Sequence, residues 1–68
     1  MKFKPGDFVY HNSEDGLDIL KIESIKNNIC LCIQVNSYKH YTPGNKWELH
    51  INTEFYKVLT EEQKAELI

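Results

Sequence analysis

Arginine is absent from this 68-residue sequence, and all eight of its cationic side chains are lysine. Arginine is the commonest side chain for reading guanine with two hydrogen bonds, so its absence removes a main device of sequence-specific nucleic-acid binding. The ten carboxylates also outnumber the lysines and leave a formal net charge of -2. This balance disfavours a protein that depends on overall positive potential to hold nucleic acid.

Long apolar runs are missing as well. No stretch approaches the roughly 20 apolar residues that a membrane-spanning helix needs, and the first residues lack the apolar segment of a secretory signal. With 41% apolar residues, the composition is that of one small globular domain over residues 1–68. We therefore expect a cytoplasmic protein that does not contact a membrane.

The small size also restricts function. Apolar burial in so short a chain barely offsets the conformational entropy lost on folding, which leaves little for a deep pocket that excludes water. We therefore expect a binding protein rather than an enzyme, without a cofactor. The sequence also has no glycine-rich phosphate loop and no sequence motif of a zinc protease or serine hydrolase.

Cysteine occurs only at Cys30 and Cys32, which point to the same side of a strand. A disulfide between them would be strained, so reduced thiols are expected. A zinc site with His11, His40 or His50 would need a second pair of ligands, and a nucleophilic cysteine would need a nearby base. The favoured interpretation is two small apolar core residues beneath the terminal helix.

The alternation of apolar and polar residues predicts five short strands and a terminal helix. A change of parity within the second strand indicates a bulge near residues 21–24. Trp47 shares its parity with two aliphatic residues of the fourth strand and is expected inside. Thr60 and Gln63 match a helix capping box. The predicted strands lie at about 8–11, 17–26, 29–35, 46–52 and 57–59, and the helix at about 61–67.

These elements predict a mainly β fold, a small five-stranded antiparallel barrel with a short C-terminal helix. The opening residues Phe-Lys-Pro-Gly-Asp-Phe-Val-Tyr, at positions 3–10, resemble the F-K-x-G-D-x-V start of many SH3-like barrels. These barrels include KOW and Tudor-type modules and YodC-type bacterial domains. The resemblance covers residues 3–35 and implies a Gly-Asp turn that leads into the first barrel strand. It implies no functional residues, because the loop at 36–45 has no counterpart in the pattern.

That loop and the start of the fourth strand hold the candidate binding residues. Aromatic rings between lysines are typical of protein-binding patches and of surfaces that stack on bases. The alternative is a long hairpin loop whose tyrosine rings fold back over the end of the barrel. The candidates are Tyr38, Lys39, His40, Tyr41 and Lys46.

Two functions remain open from the residues. The favoured one is a protein–protein interaction module that acts as an adaptor, inhibitor or modulator, with edge strands available for pairing. The alternative is a nucleic-acid-binding module of KOW type. A protein partner is favoured over nucleic acid, and we expect a monomer or a weak homodimer. Convergence of four lysines beside the loop tyrosines would favour the nucleic-acid alternative: Lys2, Lys4, Lys39 and Lys46.

The acidic residues fall into two groups, one after the first strand and one along the helix. Paired carboxylates can serve acid–base chemistry or contact a basic partner. The favoured interpretation is a solvated turn and a solvated helix face. The groups are Glu14, Asp15 and Asp18, and Glu61, Glu62 and Glu66.

Overall fold

The computed structural model describes residues 3–67, with side chains described for residues 3–66. The expected five strands and terminal helix are present in this part of the chain. The strands β1 and β4 differ from the expected ranges by two residues at their C-terminal ends. The elements are β1 (Phe8–Ser13), β2 (Gly16–Lys26), β3 (Ile29–Gln34), β4 (Lys46–His50), β5 (Lys57–Val58) and α1 (Glu61–Leu67).

The strands form one antiparallel sheet in the order β4-β3-β2-β1-β5. β1 pairs with β2 on one side and with the short β5 on the other. Within residues 3–67, no ladder joins the outer strands β4 and β5, so the sheet is not a closed barrel. The molecule therefore has two free sheet edges of very different length.

The long strand β2 contains the expected bulge. Its register with β3 shifts between Ile22 and Ser24, so the two halves of β2 can direct apolar side chains to the same core. The N-terminal turn attaches beside this point: Gly6 N–H donates to Ile22 O and Ile22 N–H donates to Asp7 O, both at 2.8 Å. Gly6 has a φ of 92°, a conformation that glycine adopts without steric cost.

The core lies on one face of the sheet, here called the inner face. Cys30 and Cys32 are buried there, whereas Leu31 between them is 38% exposed on the opposite, outer face. The cysteines pack in a cluster with strand residues and Phe3, and no helix side chain up to residue 66 belongs to this cluster. The expected cover of the cysteines by the apolar end of the helix lies outside the described residues. The buried cluster comprises Phe3, Val9, Leu20, Ile22, Cys30, Cys32 and Ile51.

The terminal helix is capped as the sequence predicts. Gln63 N–H donates to Thr60 Oγ1 at 3.1 Å, and Thr60 N–H donates to Gln63 Oε1 at 2.9 Å. The helix lies beside the N-terminal segment, where Lys64 Nζ is 5.8 Å from the centre of the Phe8 ring. From the sequence, Leu67 and Ile68 are expected to pack against the open end of the sheet, and these side chains lie outside the described residues.

A tight turn joins β2 to β3, and it yields a stability prediction. Asn27 and Asn28 both have positive φ, 52° and 66°. We expect Asn28→Val to lower the free energy of unfolding by about 1–2 kcal/mol, because a β-branched residue is strained in this conformation. Urea denaturation measures the change. The control Asn28→Gly should be at least as stable as the wild type, and an equally stable valine variant would contradict the turn geometry.

Candidate functional site

The inner face of β1 and β2 is apolar near the core and becomes polar toward the turn that joins the two strands. Beyond the apolar pair Val9 and Leu20, the next pair on the same face is His11 and Asp18. Asp18 is only 3% exposed. The expectation that it belongs to a solvated acidic turn was wrong, because the register of β1 with β2 turns its side chain inward.

Two neutral donors hold the Asp18 carboxylate. Tyr56 OH donates to Asp18 Oδ2 at 2.5 Å, and Gln34 Nε2 donates to Asp18 Oδ1 at 2.6 Å. The ion pairs among the described residues, Lys39–Asp15 and Lys64–Glu61, do not include Asp18. A buried charge costs free energy unless it is hydrogen-bonded, so these two contacts are structural requirements.

Gln34 extends the network across the sheet. Its side chain is 1% exposed, and its Oε1 accepts from Trp47 Nε1 at 2.7 Å. Gln34 Nε2 also donates to Asn36 Oδ1 at 3.1 Å, and Asn36 Nδ2 donates to Leu17 O at 2.6 Å. The network therefore links β2, β3 and β4 with the loop that follows β3.

Through Trp47 of β4, the network supports the exposed aromatic ring of Tyr41. Trp47 is half-buried and packs against the core, as its parity predicts. Its ring meets Tyr41 edge to face, with centroids 4.5 Å apart and planes at 70°. Tyr41 remains 39% exposed. Trp47 is thus a core residue that also supports a surface residue.

The 36–45 loop contains a tight turn built by its two tyrosines. Tyr38 and Tyr41 exchange backbone hydrogen bonds of 3.1 and 2.8 Å. The Tyr38 and Ser13 hydroxyls are 2.7 Å apart, and Lys39 Nζ lies 3.1 Å from Asp15 Oδ2. The hydrogen bond and charge of Asp15 raise the pKa of Lys39. The loop is thereby fastened to the β1–β2 turn.

The five predicted site residues separate into two places. Four of them lie in the turn at 38–41, where His40 is exposed at the tip. Lys46 does not join them on this face. It is opposite Ile33 in the β3–β4 ladder, on the outer face, because its parity is opposite to that of Trp47. Proximity in the sequence therefore does not place Lys46 on the same face as residues 38–41.

An exposed phenylalanine is the main residue that sequence reasoning missed. Phe55, in the turn between β4 and β5, is 75% exposed. His11 contacts its ring edge to face at 6.4 Å and also contacts Tyr56 at 5.5 Å. The only sequence signal was an aromatic residue inside a polar turn. We call His11, Tyr38, Tyr41 and Phe55 the aromatic rim.

The candidate metal ligands are not brought together. Cys30 and Cys32 are buried in the core, His11 lies at the aromatic rim, and His50 lies on the outer face opposite Ile29. Among the residues that the structure describes, no group of three or more His, Cys, Asp or Glu side chains could hold a metal ion.

Comparison with protein-family models, with curated proteins and with solved structures finds no match for this chain. In the described range 3–67, no helix has the length and apolar character needed to cross a membrane. The geometry of the chain itself therefore carries the functional argument.

The Tyr56–Asp18 contact predicts a pH-dependent stability. Burial, and then the hydrogen bond to Asp18, raise the pKa of Tyr56 above its ordinary value of about 10. The folded state therefore holds this proton more tightly, and its stabilising effect is present below about pH 10 and is lost as the pH rises further. We expect Tyr56→Phe to lower the free energy of unfolding at pH 7 by about 1–3 kcal/mol, because Asp18 loses a donor.

Urea denaturation of both proteins at neutral and strongly alkaline pH tests this. The difference between them should shrink above about pH 10, where Tyr56 of the unfolded wild type ionises. The cysteines and the other tyrosines are common to both proteins and cancel in the comparison. A difference that is constant with pH would contradict the proposed contact.

The cysteines should be chemically inert in the folded protein. Burial, and secondarily the neighbouring Cys30, raise the pKa of Cys32 from about 9 to about 12. At pH 8 this leaves about a thousandfold less thiolate than an ordinary cysteine has. We expect a thiol-specific reagent to label both cysteines rapidly only after denaturation. Fast labelling of the native protein would instead indicate an accessible, reactive thiol.

Proposed function

We propose that this protein is a small non-enzymatic binding module whose partner is another protein, bound at the aromatic rim. One observation carries the proposal: two exposed rings, Tyr41 and Phe55, stand beside side chains that belong to a single buried hydrogen-bond network. Tyr41 packs on Trp47, and Phe55 precedes Tyr56 in the chain and contacts His11, whose ring also contacts Tyr56. Both supporting side chains connect to Asp18, directly or through Gln34.

Rigid support favours binding. An exposed ring that is already held by its neighbours loses little conformational freedom when a partner covers it. Tyrosine and other large aromatic residues are also enriched among the residues that dominate protein interfaces. The backbone bonds between Tyr38 and Tyr41, and the contact of Tyr38 with Ser13, restrict the loop in the same way.

The local charge favours a protein segment over a nucleic acid. Three carboxylates, Glu14, Asp15 and Asp18, belong to the β1–β2 hairpin, and the nearby Lys39 is already paired with Asp15. Lys4 lines a groove beside the helix, and Lys46 lines a different groove on the outer face. Phosphates would therefore find no cluster of free lysines among the described residues of the rim. The partner that fits best is a segment with an apolar side chain beside a basic one.

We further propose that the fold is an open variant of the SH3-like barrel. Three features support this: the strand order, the bulged β2 that takes part in both halves of the sheet, and the Gly6-Asp7 turn that leads into β1. Barrels of this kind carry many functions, so this proposal concerns architecture and not the partner.

Amide correlation spectra of the labelled protein test the binding proposal. Separate titrations use short peptides of one length, with an apolar residue beside either a basic or an acidic one, and single- and double-stranded oligonucleotides at low salt. We expect saturable shifts at the aromatic rim with the apolar–basic peptides. Phe55→Ala and Tyr41→Ala should each weaken that binding by about tenfold or more, because interface aromatics commonly contribute over 1 kcal/mol.

The matched control is Leu31→Ala, which removes an exposed apolar side chain on the outer face. It should leave peptide binding unchanged. Shifts produced only by oligonucleotides and reversed by salt would replace the proposal with nucleic-acid binding. The absence of shifts with every probe at about 1 mM would overturn a binding role for the rim.

A further inference from the structure

The free edge of the sheet at β4 carries backbone groups that do not bond to β3. In the β3–β4 ladder, Gln34 N–H donates to Asn45 O at 2.7 Å, and beyond it Ile51 N–H donates to Asn28 O at 2.9 Å. Antiparallel residues alternate in the direction of their backbone groups, so the odd-numbered residues of β4 bond to β3. The backbone groups of Lys46, Glu48 and His50 therefore point away from β3. His50 O accepts from Thr53 N–H at 3.0 Å, and Lys46 O accepts from Asn45 Nδ2 at 3.4 Å. Both backbone groups of Glu48 and the N–H groups of Lys46 and His50 have no hydrogen-bond partner among the described residues and can bond to another strand.

The other edge offers much less. β5 has two residues, Lys57 and Val58, and both pair with β1. β4 has five residues, close to the usual strand length in globular proteins. Among the described strands, β4 is therefore the edge that could accept a partner strand.

The side chains along β4 carry charge in an alternating pattern. Lys46 and Glu48 are exposed and lie on the outer face, opposite Ile33 and Leu31 of β3. They line a groove of about 580 Å³ that also includes Leu31 and Ile33. A charged edge strand ordinarily resists pairing. It accepts a strand that places opposite charges at the facing positions.

We propose that this strand is β4 of a second copy of the chain, added antiparallel to form a continuous sheet across a two-fold axis at Trp47. In this register Lys46 faces the partner's Glu48, and Glu48 faces the partner's Lys46. Both facing residues direct their backbone groups to the shared edge, so they form a hydrogen-bonded pair. The sequence Lys-Trp-Glu at 46–48 is thus its own electrostatic complement.

Neighbouring registers are less favourable. An axis at Glu48 sets this carboxylate directly against the partner's Glu48, and like charges facing each other across strands are destabilising. A shift of the partner strand by one residue would place Lys46 and the partner's charged residues on opposite faces of the sheet. The charge pattern therefore selects the register as well as the partner.

The pairing should be weak. A contact limited to one five-residue strand falls at the low end of interface sizes. We expect dimers at protein concentrations of about 0.1–1 mM and monomers at low micromolar concentration. Sedimentation equilibrium over this range measures the dissociation constant, and amide correlation spectra locate the contact at 46–50.

Charge exchange gives the decisive test. Lys46→Glu and Glu48→Lys should each weaken self-association by at least about tenfold, because either change turns two attractive pairs into two repulsive ones. The double variant K46E/E48K restores both pairs and should dimerise like the wild type. An equimolar mixture of the two single variants should form a heterodimer, since each then supplies what the other lacks.

Lys57→Glu is the matched control, because it reverses an exposed charge on the opposite edge. It should leave the dissociation constant unchanged. Retained amide spectra establish that each variant is folded. A wild type that stays monomeric at about 1 mM would overturn the proposal. So would single variants that dimerise normally, or a double variant that is not rescued. None of these results depends on ligand binding at the aromatic rim.

Discussion

The buried carboxylate of Asp18 is the constraint on which the rest of the structure depends. A desolvated charge that has no ion-pair partner among residues 3–66 must be satisfied by hydrogen bonds, and Tyr56 and Gln34 provide them. These donors come from the β4–β5 turn and from β3, so a single charge holds distant segments in place. Gln34 in turn fixes Trp47 on β4. The loops at this end of the sheet are therefore fastened from beneath.

This arrangement explains why aromatic rings can remain at the surface of so small a domain. Tyr41 and Phe55 are exposed, yet Tyr41 lies against Trp47 of the network, and Phe55 lies against His11, whose ring contacts Tyr56 of the network. A chain of 68 residues has little apolar burial to spare for ordering loops. Polar contacts beneath the rim supply order that the core does not, and they leave the rings of Tyr41 and Phe55 exposed.

Strand β4 contributes side chains to both faces of the sheet and backbone groups to its free edge, because successive residues of a strand point in opposite directions. Trp47 points inward to the network, whereas Lys46 and Glu48 point outward beside the groove and direct their backbone groups to the free edge. The two proposed contacts are therefore separate: the edge contact uses β4 itself, whereas the aromatic rim lies on β1 and the loops and rests in part on Trp47 of β4. A second copy at the edge and a protein segment at the aromatic rim would bind different atoms, and variants can distinguish them.

Much of the fold follows from the sequence by itself, because strand alternation, the Asn27-Asn28 turn and the Thr60 cap are interactions between near neighbours. Half of the proposed aromatic rim, Tyr38 and Tyr41, also follows, since residues 38–41 are adjacent in the loop. Only the tertiary structure decided the rest. Asp18 is polar and is expected in a solvated turn, and only the register of β1, β2 and β3 turns it toward Gln34. Phe55 acquires significance only through His11, 44 positions away, and Lys46 leaves the site because the pleat sends it to the other face.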